Sequence, residues 1–216
     1  MKKKVGCLHA HHSNIDYIEQ AFRSNEDIEL VHFVDPGLMH RVTEGAEGLS
    51  LKVREQLEWM SSCNVDAILI TCTNYIALLM EEQLALSIPI IKIDEPYFAT
   101  ICEDAHPQTI LFTNPATVEG TMKRLQQFAK HHDKAIEIEA KVIDDTFELI
   151  MQGKKEAYNK ALLQFLHEIV NEQQSISVAQ LSMVEAAQQF DKEMGTAIIH
   201  PLQALVRAVL TQLKIT

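Results

Sequence analysis

Short apolar runs and longer amphipathic stretches alternate along this chain. Runs rich in Val, Ile and Leu fall at 5–9, 30–34, 67–71, 88–93, 109–112, 135–142, 176–180 and 196–199. Several, such as Ala67-Ile68-Leu69-Ile70, are apolar at every position, the pattern of strands covered on both faces. Stretches with helical spacing lie at 51–62, 75–86, 118–130, 155–173 and 201–213. Strand followed by helix, repeated, predicts parallel sheets of βαβ units and an α/β fold.

The second half echoes the first. Ala67-Ile68-Leu69-Ile70-Thr71-Cys72-Thr73 has a counterpart in Ser177-Val178-Ala179-Gln180-Leu181-Ser182-Met183, so Cys72 and Ser182 stand 182 − 72 = 110 positions apart. Val5-Gly6-Cys7-Leu8 matches Thr109-Ile110-Leu111-Phe112, and Ile88-Pro89-Ile90-Ile91 matches Thr196-Ala197-Ile198-Ile199. Any two apolar strands look alike; three matches in one order carry more weight. The expectation is two pseudo-symmetric lobes, each a mostly parallel sheet flanked by helices. Residues 1–103 form the first, completed by the C-terminal helix 201–216, and residues 104–200 form the second.

Composition narrows the class. The 216 residues are 47% hydrophobic and 23% charged, which suits a globular core. A formal net charge of −11 repels phosphate backbones and argues against nucleic acid as a partner. The run after Met1-Lys2-Lys3-Lys4 is too short for a signal-peptide core, and no stretch reaches the ~20 apolar residues of a membrane helix. A cytoplasmic protein without membrane contact is expected. Cys7, Cys63, Cys72 and Cys102 lack paired metal-site spacing and are expected as thiols.

Ligands of open α/β sheets bind beyond the carboxyl ends of the strands. There the sequence sets His9, His11, His12, Ser13 and Asn14, then Cys72-Thr73-Asn74, Asp94-Glu95, Thr113-Asn114 with Thr117, Gln180 with Ser182, and His200. Hydroxyl, amide and imidazole groups suit a small carboxylate. Cys72 ends an apolar run and precedes a helix, whose amino terminus favours a thiolate able to take a proton from carbon or attack an electrophile. Its position alone fits an inert buried cysteine equally well. The His9-Ala10-His11-His12 cluster invites a metal, but later ligands are not evident in the sequence; a polar loop with His9 contacting substrate is the favoured reading. Thr113-Asn114-Pro115-Ala116-Thr117 leads into a helix and reads either as an anion cradle or as an ordinary cap. Trp59, following Leu57 in an amphipathic stretch, is expected in the core, or else near a homodimer interface.

The run Asp66-Ala67-Ile68-Leu69-Ile70-Thr71-Cys72-Thr73-Asn74 resembles the first-lobe motif of the aspartate/glutamate racemase superfamily. Val178-Ala179-Gln180-Leu181-Ser182-Met183 resembles the second-lobe segment of a less characterised branch that carries serine there. Ile88-Pro89-Ile90-Ile91-Lys92-Ile93-Asp94-Glu95 and Leu111-Phe112-Thr113-Asn114-Pro115-Ala116-Thr117 fit the same branch, so the resemblance spans nearly the whole chain. It implies two α/β lobes closing over a small acid, with Cys72 and Ser182 at the catalytic positions on either side of one cleft. It also implies substrate contacts from Thr73, Asn74, Thr113, Asn114 and Thr117, to which the strand-end reading adds His9, Ser13 and Gln180. No metal, nucleotide, flavin or pyridoxal phosphate is implied, and a homodimer is.

Ser182 departs from the two-cysteine pattern. A thiol of pKa about 8.5 is partly ionised near neutrality, whereas a serine hydroxyl needs a neighbour to act. A cofactor-independent racemase or isomerase of a small carboxylic acid is the first reading. A decarboxylase or other lyase using one thiol, and a non-catalytic small-acid binding protein, stand beside it. A metal hydrolase built on His9–His12 is the remote fourth.

Overall fold

The computed structural model describes residues 2–44, 47–79, 86–170 and 174–215. The chain divides into two compact units, Met1–Asp94 with Leu205–Thr216, and Glu95–Ala204.

The first unit holds a four-stranded sheet in the order β2-β1-β3-β4, with β1 Lys3–His9, β2 Ile28–Val34, β3 Ala67–Ile70 and β4 Ile90–Lys92. Every pairing is parallel, and Cys7 sits opposite His32 on one side and Leu69 on the other. Among the described residues up to Asp94 it is accompanied by α1 Asn14–Phe22, α2 Gly37–Thr43, α3 Leu49–Ser61 and α4 Thr73–Leu78. All four residues of β3 are buried, as the unbroken apolar run required. Val53, Leu57 and Met60 of α3 repeat at helical spacing and are buried. Gly6 leaves room on β1: an added Cβ would stand 3.4 Å from Met60, Phe33 and Val65.

The second unit begins with α5 Asp94–Glu103, whose first residue belongs to the other unit. Its sheet has the order β6-β5-β7, all parallel, with β5 Gln108–Phe112, β6 Ile138–Val142 and β7 Ser175–Val178. The helices are α6 Val118–His131, α7 Thr146–Met151, α8 Lys155–Ile169 and α9 Val184–Met194. Alternate residues of a strand point to opposite faces. Ile110 and Phe112 accordingly join Tyr97, Phe98, Ile101 and Leu125 in one core cluster, while Leu111 joins Tyr158, Leu162, Ile176 and Phe190 in another. The last helix, α10 Leu205–Leu213, returns to the first unit with Leu205 and Val209 buried.

Both sheets place their first strand centrally, their second on one side and their third on the other. The fold is α/β with two sheets of like order, as the apolar runs predicted. Two expectations need correction. Residues 196–199 do not form a strand; they make a single parallel bridge, Ser177 to Ile199. Trp59 is not core: it is 57% exposed and touches the edge of Phe33 at 5.5 Å between ring centroids. It lies beside Leu57 on α3, but Val53, Leu57 and Met60 already fill the buried face. Part of the predicted 75–86 helix, and the end of the 155–173 helix, fall on residues 80–85 and 171–173, outside the described residues.

Candidate active site

In the first unit the carboxyl ends of β1 and β3 set His9, Thr71 and Cys72 side by side. The backbone N–H of Thr71 donates to Leu8 O, continuing the β1–β3 ladder one residue past β3. The Thr71 hydroxyl donates to the same carbonyl at 3.0 Å. The same oxygen faces two further groups. His9 Nδ1 lies 2.9 Å away and Asn14 Nδ2 3.5 Å away. His9 is fully buried, and its Nε2 meets His32 Nδ1 at 2.8 Å, so it stands behind Thr71. Burial first, and His32 second, hold its pKa down to about 4.

Cys72 follows with an extended backbone, φ −114° and ψ 123°, as the N-cap of α4, and it is half-buried with Thr73 and Asn74. Ile76 N–H donates to Cys72 O, closing the first turn. Behind it Tyr75 is buried and donates from its hydroxyl to Asp35 O at 3.2 Å. Burial, then Asp35, raise that phenol far above its usual range, so it stays protonated. Ser13 is exposed; its hydroxyl and N–H both donate to His11 Nδ1, at 2.7 and 3.2 Å.

In the second unit the candidates form one directional hydrogen-bond network. Gln180 Oε1 accepts from Thr113 N–H at 2.8 Å, from the Thr113 hydroxyl at 2.7 Å and from Asn114 N–H at 3.3 Å. Two backbone donors fix which end of the amide is oxygen. Gln180 Nε2 therefore donates to Thr117 Oγ1 at 3.1 Å, and Thr117 in turn donates to Asn114 O at 2.8 Å. Asn114 Oδ1 caps the turn Pro115–Thr117 by accepting from Ala116 N–H.

The same logic reaches Ser182. The Thr113 proton points to Gln180, so Thr113 Oγ1 accepts from Tyr158 OH at 3.1 Å. Tyr158 OH then accepts from Ser182 Oγ at 2.8 Å. Ser182 is half-buried in the turn Leu181–Met183 that follows β7. Among the described residues its hydrogen-bond partner is this phenol, not His200. His200 is itself buried, and burial holds its pKa down to about 4.

The structure thus ties His9 to Thr71, the residue before Cys72, sets Thr73 and Asn74 in the first turn of α4, and joins Thr113, Asn114, Thr117, Gln180 and Ser182 in one network in the other unit. Reading the sequence missed Thr71 as the link between His9 and Cys72, and Tyr158 and His32 altogether. Tyr158 sits on the apolar stripe of α8 with Leu162 and Leu166, where an aromatic reads as core. His32 is a histidine inside the otherwise apolar run 30–34, which was a usable signal.

Among the described residues no helix is long and apolar enough to cross a membrane. Comparison with known proteins gives a consistent assignment. No curated protein matches the chain by sequence. Among solved structures it is similar to an aspartate racemase from Picrophilus torridus, at TM-score 0.75 and 13% identity over 98% of this chain and 94% of that one. An allantoin racemase from Klebsiella pneumoniae superposes at TM-score 0.69 and 19% identity over 100% and 90% of the two chains. A glutamate racemase from Bacillus anthracis does so at 0.68 and 14% over 99% and 83%. These likenesses show the fold. The model of the Asp/Glu/hydantoin racemase family matches residues 12–209, nearly the full length, and the chain belongs to that family of isomerases.

Proposed function

We propose that this chain is a cofactor-independent racemase or epimerase of a small carboxylic acid. Cys72 is the base on one face of the α-carbon, and Ser182, backed by Tyr158, is the acid on the other. The observation that carries this reading is the equivalent station of the two residues. Each is half-buried just past the third strand of a like-ordered parallel sheet.

The Cys72 thiolate takes the α-proton, and the carbanion is reprotonated from the Ser182 side. A serine hydroxyl is too weak an acid to do this alone, whereas a phenol is far more acidic. In this reading Ser182 gives its proton to carbon and recovers one from Tyr158. The resulting phenolate accepts from Ser182 and from the Thr113 hydroxyl, which turns away from Gln180. The reverse direction runs the same chain backwards. Thr73, Asn74, Asn114 and Thr117, all half-buried, are the proposed contacts to the acid, with Ser13 at the rim. His9, Thr113 and Gln180 hold the contacting segments from behind.

Each enantiomer of candidate amino and hydroxy acids, incubated in deuterated water, tests this. Wild type should invert both with deuterium incorporation. Tyr158→Phe should exchange the α-proton of only the enantiomer that faces Cys72, with inversion strongly reduced, and Cys72→Ala should abolish that exchange. Undiminished inversion by either variant would refute the assignment. Release of carbon dioxide from a malonate-like acid without α-exchange would replace it with a decarboxylase. A homodimer belongs to the same reading, with exposed Leu51 and Trp59 of α3 as contact candidates; light scattering at the mass of one chain would remove it.

A further inference from the structure

His9 and His32 face each other ring nitrogen to ring nitrogen, His9 Nε2 to His32 Nδ1 at 2.8 Å. When the Thr71 hydroxyl donates to Leu8 O, His9 Nδ1 carries the hydrogen it directs at Thr71 Oγ1. That leaves a lone pair on His9 Nε2. At the far side His32 Nε2 meets the Glu19 carboxylate at 3.0 Å and must donate to it. In a neutral ring this leaves a lone pair on His32 Nδ1. In that tautomer the two lone pairs turn towards one point between the rings and a cation can take both; without one, the Thr71 hydroxyl turns to His9 Nδ1 and His9 Nε2 donates to His32 Nδ1 at 2.8 Å.

A third ligand is already in place. Cys7 and His9 are two residues apart on β1 and share a face, and Cys7 is the register partner of His32 on β2. Cys7 Sγ and the two imidazoles offer ligand atoms that all lie within 4.8 Å of one another. We propose that Cys7, His9 and His32 form a binding site for a divalent transition cation of the zinc class, with Glu19 and Thr71 as its outer shell.

The chemistry of the donors fits. One thiolate and two imidazoles suit zinc, which bonds nitrogen at about 2.0–2.1 Å and sulfur at about 2.3 Å. Two nitrogens on a tetrahedral ion stand about 3.3 Å apart, so the rings need to separate by roughly 0.5 Å. His32 is on β2, at the edge of the sheet and half-buried, where such a movement is small. The carboxylate–histidine pair of Glu19 and His32 is the outer-shell arrangement that fixes tautomer and ring orientation at metal sites. Burial raises the Cys7 thiol far above its usual range, and in the metal-free protein it donates weakly to Val5 O at 3.6 Å. Binding therefore displaces the thiol proton, and the one hydrogen of His9 sits on Nδ1, towards Thr71 Oγ1. His11 and His12, which adjoin His9 in sequence, are exposed on the following loop and do not belong to this cluster.

The test is titration of chelator-treated full-length protein with cobalt(II) and zinc(II). One equivalent of cobalt should give four-coordinate visible bands and a thiolate-to-cobalt charge-transfer band, both displaced by zinc. Cys7→Ala and His32→Ala should lose the charge-transfer band, whereas Cys63→Ala, Cys72→Ala and His11→Ala/His12→Ala should keep it. Glu19 is well exposed, so Glu19→Gln leaves the fold intact; it should weaken zinc binding roughly ten- to a hundred-fold. The proposal is overturned if cobalt shows no thiolate band. It is equally overturned if the band survives in Cys7→Ala or disappears in Cys72→Ala or Cys63→Ala, or if Glu19→Gln changes zinc affinity less than about two-fold. Absence of binding overturns it as well, and nitrogen NMR would then show an ordinary hydrogen bond between the two rings.

Discussion

Replacing Gln180 by Leu and by Glu should separate two kinds of loss. Gln180 Oε1 accepts three hydrogen bonds, from Thr113 N–H, the Thr113 hydroxyl and Asn114 N–H. Thr113 is only 2% exposed, so water cannot replace the lost acceptor at its N–H. Its hydroxyl can turn to Tyr158, and Asn114 is half-buried and can hydrate. One buried donor left unpaired costs about 1–3 kcal/mol, and loss of the weaker bonds about 1 kcal/mol more. Leucine recovers up to about 1 kcal/mol through burial. Gln180→Leu should therefore destabilise by about 1–4 kcal/mol, with the middle of that range expected. In Gln180→Glu a carboxylate accepts the same three donors, and the Thr117 hydroxyl can swing to it from Asn114 O. That change should stay within about 1 kcal/mol. Urea unfolding followed by far-ultraviolet circular dichroism measures both. The only tryptophan, Trp59, lies in the first unit, so a backbone signal is the direct probe of this one. Equal losses for the two variants would refute the assigned direction of the network.

Further outcomes follow from other residues. Cys72→Ser should lower α-proton exchange by at least about a hundred-fold, because an alcohol is a poor base at neutral pH, and exchange within ten-fold of wild type would contradict a proton-transfer role. His200, buried with its pKa held down from 6.5 to about 4, is neutral in the fold while the unfolded chain takes up a proton. Its contribution to stability is therefore full above about pH 6.5 and is lost as the pH falls through about 4. Urea midpoints across that window should decline, and His200→Gln should flatten the decline; an unchanged slope would count against it. Gly195 ends α9 at φ 70° with its N–H on Asp191 O, and an added Cβ meets nothing within 4 Å. Gly195→Ala should thus cost about 1 kcal/mol by backbone strain alone, which thermal unfolding can read. Leu69→Ala, on a fully buried central strand, should cost about 2–5 kcal/mol in the same measurement.

What the sequence made legible is what local pattern controls. Apolar runs identified β1, β3 and β5, because strands buried on both faces are mostly apolar; His9, Gln108 and Thr109 are the buried polar residues at their ends. The stretch 196–199 carries the same pattern but only Ile199 meets a neighbour, at Ser177, since hydrogen-bond pairing depends on where the partner strand ends. Strand-end chemistry at Cys72, Gln180 and Ser182 could be read from position. Their partners could not: Tyr158 lies 24 residues before Ser182, and His32 lies 23 after His9. Such pairs come together through packing of α8 on its sheet and pairing of β2 with β1. The donor directions needed the geometry as well, because each hydroxyl's role was set by the neighbour that had already taken its proton.

The first unit is discontinuous in the chain, since α10 belongs to it while residues 95–204 build the second. Synthesis therefore completes the residues of the second unit before α10 is made. A chain truncated after residue 204 should carry a protease-resistant second unit beside a first unit whose vacant α10 berth invites chaperones.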